Sequence, residues 1–334
     1  MDYQITIQGS DIDFACKPEQ TVLDAAQHAG YEIPYSCRNG ICGSCRGQVI
    51  YGDFESKDFS DVLSREERAD GYTLFCQAQP RSNLKIAVRS LEKNIQGAKK
   101  IVKARLFKIT KVADDVSVLL LRFPAGIRVP FKPGQYMQVI FEDGQRRSYS
   151  MANPGHQTDS VQLHVRHVKG GRFTGYLEDS AAAGDFLDIE LPLGDFYLRA
   201  SDKPLVFVAS GTGFAPIKSI LESMFKRGFP PCRVYLYWGA RRKADLYMLD
   251  LPEKWARQYP QFSFIPVLSE ESNGVDRTGF VHEAVLSDFD TLSNCDVYAC
   301  GVPVMINAAR RDFVQNRQLP PANFYCDAFV ETPP

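Results

Sequence analysis

No stretch of this 334-residue chain approaches the ~18 consecutive apolar residues that a membrane-spanning helix needs. Histidine is scarce, at five residues, and none stands in the paired His/Cys spacing of a mixed-ligand iron centre. A carboxylate motif for a dinuclear iron site is missing as well. Substrate or oxygen chemistry that needs such centres must therefore occur on another protein. Charge of one sign is lacking too: the formal net charge of −1 offers nothing to nucleic acid or an anionic membrane surface. Met1–Ile7 alternates like a strand, without the basic-then-apolar pattern of an export leader. The expectation is a cytoplasmic protein. Internal repeats and low-complexity tracts are also missing, and the length favours two or three domains.

Cysteine is what the chain does have. Cys37, Cys42 and Cys45 follow a C-x4-C-x2-C spacing, and Cys76 stands well apart from them. That is the spacing with which plant-type ferredoxins hold a [2Fe–2S] cluster. Gly40 and Gly43 lie between the ligands, where positive φ lets the loop wrap closely and aim its amides at sulfur. A structural zinc site would show two close pairs, and Cys76 has no near partner. A disulfide framework fits poorly with nine cysteines, an odd count. Cys16, Cys232, Cys295 and Cys326 read as small apolar residues of a reduced protein.

Three segments follow from periodicity. Residues 1–92 begin with a strand at Tyr3–Ile7 and a helix at Val22–His28, capped by Thr21 and ended by Gly30. Gln48–Tyr51 is a short strand after the cysteine loop, and residues 93–102 read as a linker. Residues 103–200 read as an antiparallel β-barrel, with strands at Val118–Phe123, Gln135–Phe141 and Val161–Val168. Residues 201–334 switch to strand–helix alternation. Strands at Pro204–Ala209, Arg233–Trp238, Phe262–Leu268 and Val297–Cys300 suit a parallel, nucleotide-binding α/β sheet. Ile217, Ile220, Leu221, Met224 and Phe225 mark one helix face, and a further helix falls near Met305–Gln315.

Chemistry-bearing residues sit at the ends of these elements. In Arg147-Ser148-Tyr149-Ser150 the arginine fork suits a phosphate, the tyrosine a flat ring and the serine a ring nitrogen. Gly170, Gly171 and Thr174 form a glycine turn ahead of a helix, with Arg172 and Phe173 inside it. Gly211-Thr212-Gly213, followed by Pro216, lies between a strand and a helix, where two glycines admit a dinucleotide pyrophosphate. His164 and His167 are no metal pair, because three residues apart on a strand they face opposite ways.

Together these motifs resemble the ferredoxin–NADP reductase family, in the form with an N-terminal plant-type ferredoxin domain. That form is the class IB reductase component of bacterial multicomponent oxygenases, especially Rieske aromatic-ring-hydroxylating ones. CDP-6-deoxyglucoseen reductases and the reductases of di-iron monooxygenases share the layout. The resemblance implies a β-grasp ferredoxin, a β-barrel FAD domain and a parallel-sheet NAD(P) domain. It implies that His164, Val165 and Arg166 run beside the flavin and that the helix after Gly171 receives its pyrophosphate. Tyr149 would stack on the ring, with Ser150 at its N5. Cys300-Gly301-Val302-Pro303-Val304-Met305 matches the family's C-G-x-P-x-M element, which sets Cys300 beside the nicotinamide. Phe329, in the terminal aromatic stretch, would cover the flavin. In the ferredoxin pattern Cys37 and Cys42 hold one iron, and Cys45 and Cys76 the other.

The implied route runs from NAD(P)H to FAD, then singly through the cluster to an external acceptor. That acceptor would be a terminal oxygenase acting on an aromatic acid such as a phthalate isomer, or another electron-accepting protein. Docking would be transient and through the ferredoxin domain, whose residues 1–92 carry a balance of −5 against +4 elsewhere. The protein is expected to be a monomer. Arg241 and Arg242 follow the second parallel strand, where a 2′-phosphate would lie, yet relatives with Gly-Ala-Arg-Arg there look like NADH users. NADH is the expected nucleotide, with NADPH left open. A stand-alone flavin or dye reductase would not need the cysteine loop. A non-turnover redox sensor would need an output domain, and none is legible.

Overall fold

The computed structural model describes residues 2–57, 62–93, 99–272, 274 and 276–330. The expected linker 93–102 falls partly on 94–98, which lie outside the described residues; Lys100–Val102 belong to a strand. The chain forms two compact units. The first comprises the described residues up to Lys93 with Cys326–Val330, and the second Lys99–Tyr325.

In the first unit, strands β1 (Tyr3–Ile7), β2 (Asp13–Cys16), β3 (Arg46–Tyr51), β4 (Tyr72–Leu74) and β5 (Leu84–Val88) form a sheet ordered β2-β1-β5-β3-β4. The β1–β5 pair is parallel and its neighbours are antiparallel, a β-grasp arrangement. Helix α1 (Val22–His28) crosses it, with Thr21 capping the Asp24 amide. Val22, Leu23, Ala25 and Ala26 are buried, as the apolar spacing requires.

In the second unit, β6 (Lys100–Ala113), β7 (Val116–Arg122), β8 (Tyr136–Ile140), β9 (Arg146–Ser150), β10 (Ser160–Arg166) and β11 (Phe186–Leu193) pair in the order β9-β8-β11-β6-β7-β10. A bridge from Met151 to Leu163 joins the two ends, so the sheet closes on itself. Alternate residues fill the barrel, among them Leu163, Val165, Met151 and Met137, each fully buried. Helix α2 (Arg172–Asp179) plugs it with Phe173 and Leu177.

The same unit continues into parallel strands β12 (Leu205–Ser210), β13 (Val234–Ala240), β14 (Phe262–Leu268) and β15 (Asp296–Gly301), ordered β14-β13-β12-β15. Helices α3 (Phe214–Arg227) and α4 (Pro303–Arg317) follow β12 and β15. Helix α3 is pinned to the barrel by polar contacts. Lys218 Nζ is buried and donates to the Ala152 carbonyl, Gln162 Oε1 and Glu222 Oε2. Ser219 Oγ donates to the Asn153 carbonyl, and Ser223 Oγ accepts from the Gly155 amide. A buried ammonium is tolerable only when so fully paired.

Candidate functional site

The cysteine loop is built on positive φ. Arg38, Gly40 and Gly43 adopt φ of 58°, 77° and 73°, which turns successive amides inward. The Cys42 and Asn39 amides donate to Cys37 Sγ at 3.3 and 3.4 Å, and the Cys37 and Ser44 amides to Cys42 Sγ at 3.5 Å. Cys42, Cys45 and Cys76 are buried. The thiols associate in two pairs: bonding to Cys42 lowers the Cys37 pKa, and bonding to Cys45 lowers that of Cys76. Among the described residues no group of three or more His, Cys, Asp or Glu side chains is drawn together closely enough to hold a metal ion. Two thiol pairs under a canopy of amides suit a binuclear cluster, not one zinc ion.

Cys326–Val330 belongs to this unit, which the sequence did not signal. Cys326 Sγ donates to the Cys42 carbonyl at 2.8 Å, and Ser44 Oγ to the Cys326 carbonyl at 3.5 Å. Phe329, the residue expected over a flavin, is half-buried in this segment. Asp327 is buried beside it, and burial pushes its carboxyl up to about 7. An unfolded aspartate titrates near 3.9, so between those values the folded state holds the extra proton. Stability from this group is complete below about pH 4 and drains as pH rises to about 7. Asp327→Asn should therefore gain in melting temperature over the wild type as pH goes from 5 to 8. A constant difference across that range would contradict it.

The Arg147–Ser150 strand edge runs into the Met151–Leu163 bridge, which brings it beside β10. Tyr149 packs on Phe173 at 5.0 Å between centroids, and burial raises its phenol pKa. Ser150 Oγ is buried without a hydrogen-bond partner, and so is His164 Nε2. Arg147 lies at the surface end of the same strand, with its guanidinium on the Arg146 carbonyl at 3.0 Å. Gly171 caps α2 with no side-chain bond to the first-turn amides, and Gly170, at φ 75°, has open space where a Cβ would be. Thr174 Oγ1 donates to the Val168 and Gly171 carbonyls and fixes the turn. Arg172 pairs with Asp143 and lies over Phe141. Orphaned polar atoms and an uncapped helix end fit a flavin nucleotide.

Residues 211–216 and 300–305 form one locus. A Cβ on Gly213 would lie 2.1 Å from the Cys300 carbonyl oxygen, and one on Gly301 would lie 2.0 Å from Ser210 Oγ. Ser210 Oγ accepts from the Val302 amide at 3.1 Å. Cys300 is fully buried at the end of β15, and Pro303 and Met305 start α4. Thr212 is half-exposed and Pro216 lies buried in the first turn of α3, where a proline costs no hydrogen bond. Arg166 of the barrel lies against Gly211, 3.0 Å from the position of a Cβ, and pairs with Asp115 at 3.4 Å. Arg241 and Arg242 are exposed beyond β13, and Arg242 pairs with Asp245 at 3.4 Å.

Three family models match in succession: a 2Fe-2S iron-sulfur cluster binding domain over residues 5–81, an oxidoreductase FAD-binding domain over 103–197, and an oxidoreductase NAD-binding domain over 207–311. Terephthalate 1,2-dioxygenase reductase component 1 of a Comamonas species is 40% identical, over 100% of this chain and 99% of its own. The chain belongs to this family of iron–sulfur flavoprotein reductases. The CDP-6-deoxy-L-threo-D-glycero-4-hexulose-3-dehydrase reductase of Yersinia pseudotuberculosis is 37% identical over 99% of both chains. The crystal structure of the Amycolatopsis cytochrome P450 reductase GcoB superposes with a TM-score of 0.77 at 33% identity, covering 98% of this chain and 99% of that one. The reductase is thus an NAD(P)H-dependent oxidoreductase with FAD and a [2Fe–2S] cluster as cofactors. Among the described residues no helix is long and apolar enough to cross a membrane.

Proposed function

We propose that this reductase supplies electrons to a terminal oxygenase, a Rieske dioxygenase acting on an aromatic acid such as a phthalate isomer. The observation that carries the reading is the full-length 40% identity to the terephthalate dioxygenase reductase components. Cys37, Cys42, Cys45 and Cys76 would hold the cluster. Arg147, Tyr149, Ser150 and the Gly171 helix end would hold FAD, and the Gly211–Gly213 and Cys300–Gly301 turns would hold the nicotinamide nucleotide. The bound FAD supplies exchange between a two-electron hydride and single electrons. The chain's own work is to orient the two rings, keep water from their edges and hold the cluster in a buried loop. Docking through the ferredoxin domain, with a monomeric, cytoplasmic protein and a preference for NADH, completes the proposal.

Captured on the immobilised reductase, the acceptor should be red, contain iron and show a Rieske signal. Reduction by NADH should exceed that by NADPH in kcat/KM by about tenfold, the cost of leaving one phosphate unpaired. A second reading, deoxysugar biosynthesis, rests on the 37% identity to the Yersinia enzyme. A captured partner that binds pyridoxamine phosphate instead of iron would decide for it and overturn the first.

A further inference from the structure

His164, on the strand expected beside the flavin, joins the barrel to the nucleotide-binding part through Tyr247. Along β10, Leu163 and Val165 point into the barrel core, so His164 and Arg166 point out of it. The outward face is nevertheless covered. His164 is 6% exposed, and its Nδ1 lies 2.9 Å from the Tyr247 hydroxyl. Tyr247, in the loop after β13, is itself buried, edge-on to Phe214 and Trp238. Trp238 in turn donates from Nε1 to the Gly211 carbonyl at 3.0 Å and stacks on Phe214. The tyrosine is therefore fixed by the same residues that shape the nucleotide turn.

The protonation pattern follows from counting donors. Burial, with Lys218 nearby, lowers the His164 pKa to about 3, so the imidazole is neutral and carries one N–H. Burial raises the Tyr247 pKa, so its phenol keeps its proton. If Nδ1 carried the imidazole proton and donated to Tyr247, the phenol O–H would have no acceptor and Nε2 no donor. With Tyr247 donating to Nδ1, only the Nε2–H is left over. One orphan costs less than two, so the second pattern holds. That Nε2–H is buried and unpartnered. The bridge Met151–Leu163 sets Ser150 opposite His164 in the antiparallel register, and Ser150 Oγ is the other buried atom without a partner.

We propose that His164 Nε2–H is a hydrogen-bond donor to the acceptor edge of the flavin ring, alongside Ser150, and that Tyr247 is the positioning residue that locks its tautomer. Through this pair the nucleotide-binding part sets the hydrogen bonding of the flavin. The inference uses the FAD-binding role of the barrel but not the identity of the electron acceptor.

FAD titration of the deflavinated full-length protein tests the donor. His164→Ala should weaken FAD binding about fivefold, the worth of one neutral hydrogen bond. His164→Gln, whose amide can present a donor in place of Nε2–H, should restore it to within about twofold. Nitrogen-15 NMR of the histidine-labelled wild type tests the lock without any substitution. His164 should appear as the Nε2–H tautomer, and Tyr247→Phe should convert it to a mixture while the protein still melts as a folded chain. An Nδ1–H tautomer in the wild type, or His164→Ala binding FAD as tightly as the wild type, would overturn the proposal.

Discussion

Cys76→Ser is expected to stop one-electron output while sparing hydride uptake. Cys76 comes from the strand side of the ferredoxin unit and pairs with Cys45, so its loss removes half of one thiol pair. A cluster held by four thiolates tolerates this poorly, and cytochrome c reduction should fall on the order of a hundredfold with loss of iron. Two-electron dye reduction by NADH should stay within about twofold, because the residues proposed above to hold FAD and the nicotinamide nucleotide lie in residues 99–325. Unchanged cytochrome c reduction in a variant without iron would show that the cluster is not on the path.

Gly213→Ala should damage the nucleotide site more than any substitution in its exposed rim. Gly213 has an ordinary helical φ of −58°, so backbone strain is not the issue. A Cβ there would meet the Cys300 oxygen and carbon at 2.1 and 2.5 Å and the Gly301 nitrogen at 2.8 Å, all backbone atoms. Backbone cannot rotate away, so β12 and β15 must part at their ends. Overpacking of this kind costs about 1–3 kcal/mol or more. At roughly 2–4 °C per kcal/mol, that is a loss of several degrees in melting temperature. The nicotinamide KM should rise by on the order of tenfold, since both turns move. Gly175→Ala serves as the control: it lies within α2 with nothing near its Cβ position, and alanine favours a helix. Equal effects from the two substitutions would sink the argument.

Elements with an undisturbed period were legible in the sequence. Tyr3–Ile7, Val22–His28 and Phe262–Leu268 appear with the expected bounds. The longest strand was not. Lys100–Ala113 pairs with two neighbours, but register shifts at Leu106/Lys108 and Lys111/Ala113 break its alternation. A bulge shifts every later side chain to the other face, so the period-two signal cancels over the window. Its first residues, Lys100–Arg105, pair with β11 in unbroken register, but Lys99, Lys100 and Lys103 leave too few apolar residues there to carry a period, so they read as linker.

The spacing of the cysteines and the Gly-x-Gly turn are local, and local chemistry determined them. Thiolates on one loop and glycines at one helix start need no knowledge of the rest of the fold. Contacts across large sequence separations were decided only by tertiary structure: Tyr247 on His164, Lys218 on Ala152, and Cys326 on Cys42. No periodicity encodes which outward-facing residue of a barrel strand will be covered, because a covering partner can lie some 80 residues away. The sequence alone determined which cofactors this chain is built to hold. The tertiary structure decided which further side chains complete their surroundings, because burial turns an ordinary histidine, tyrosine or aspartate into a group with one permitted partner and one permitted protonation state.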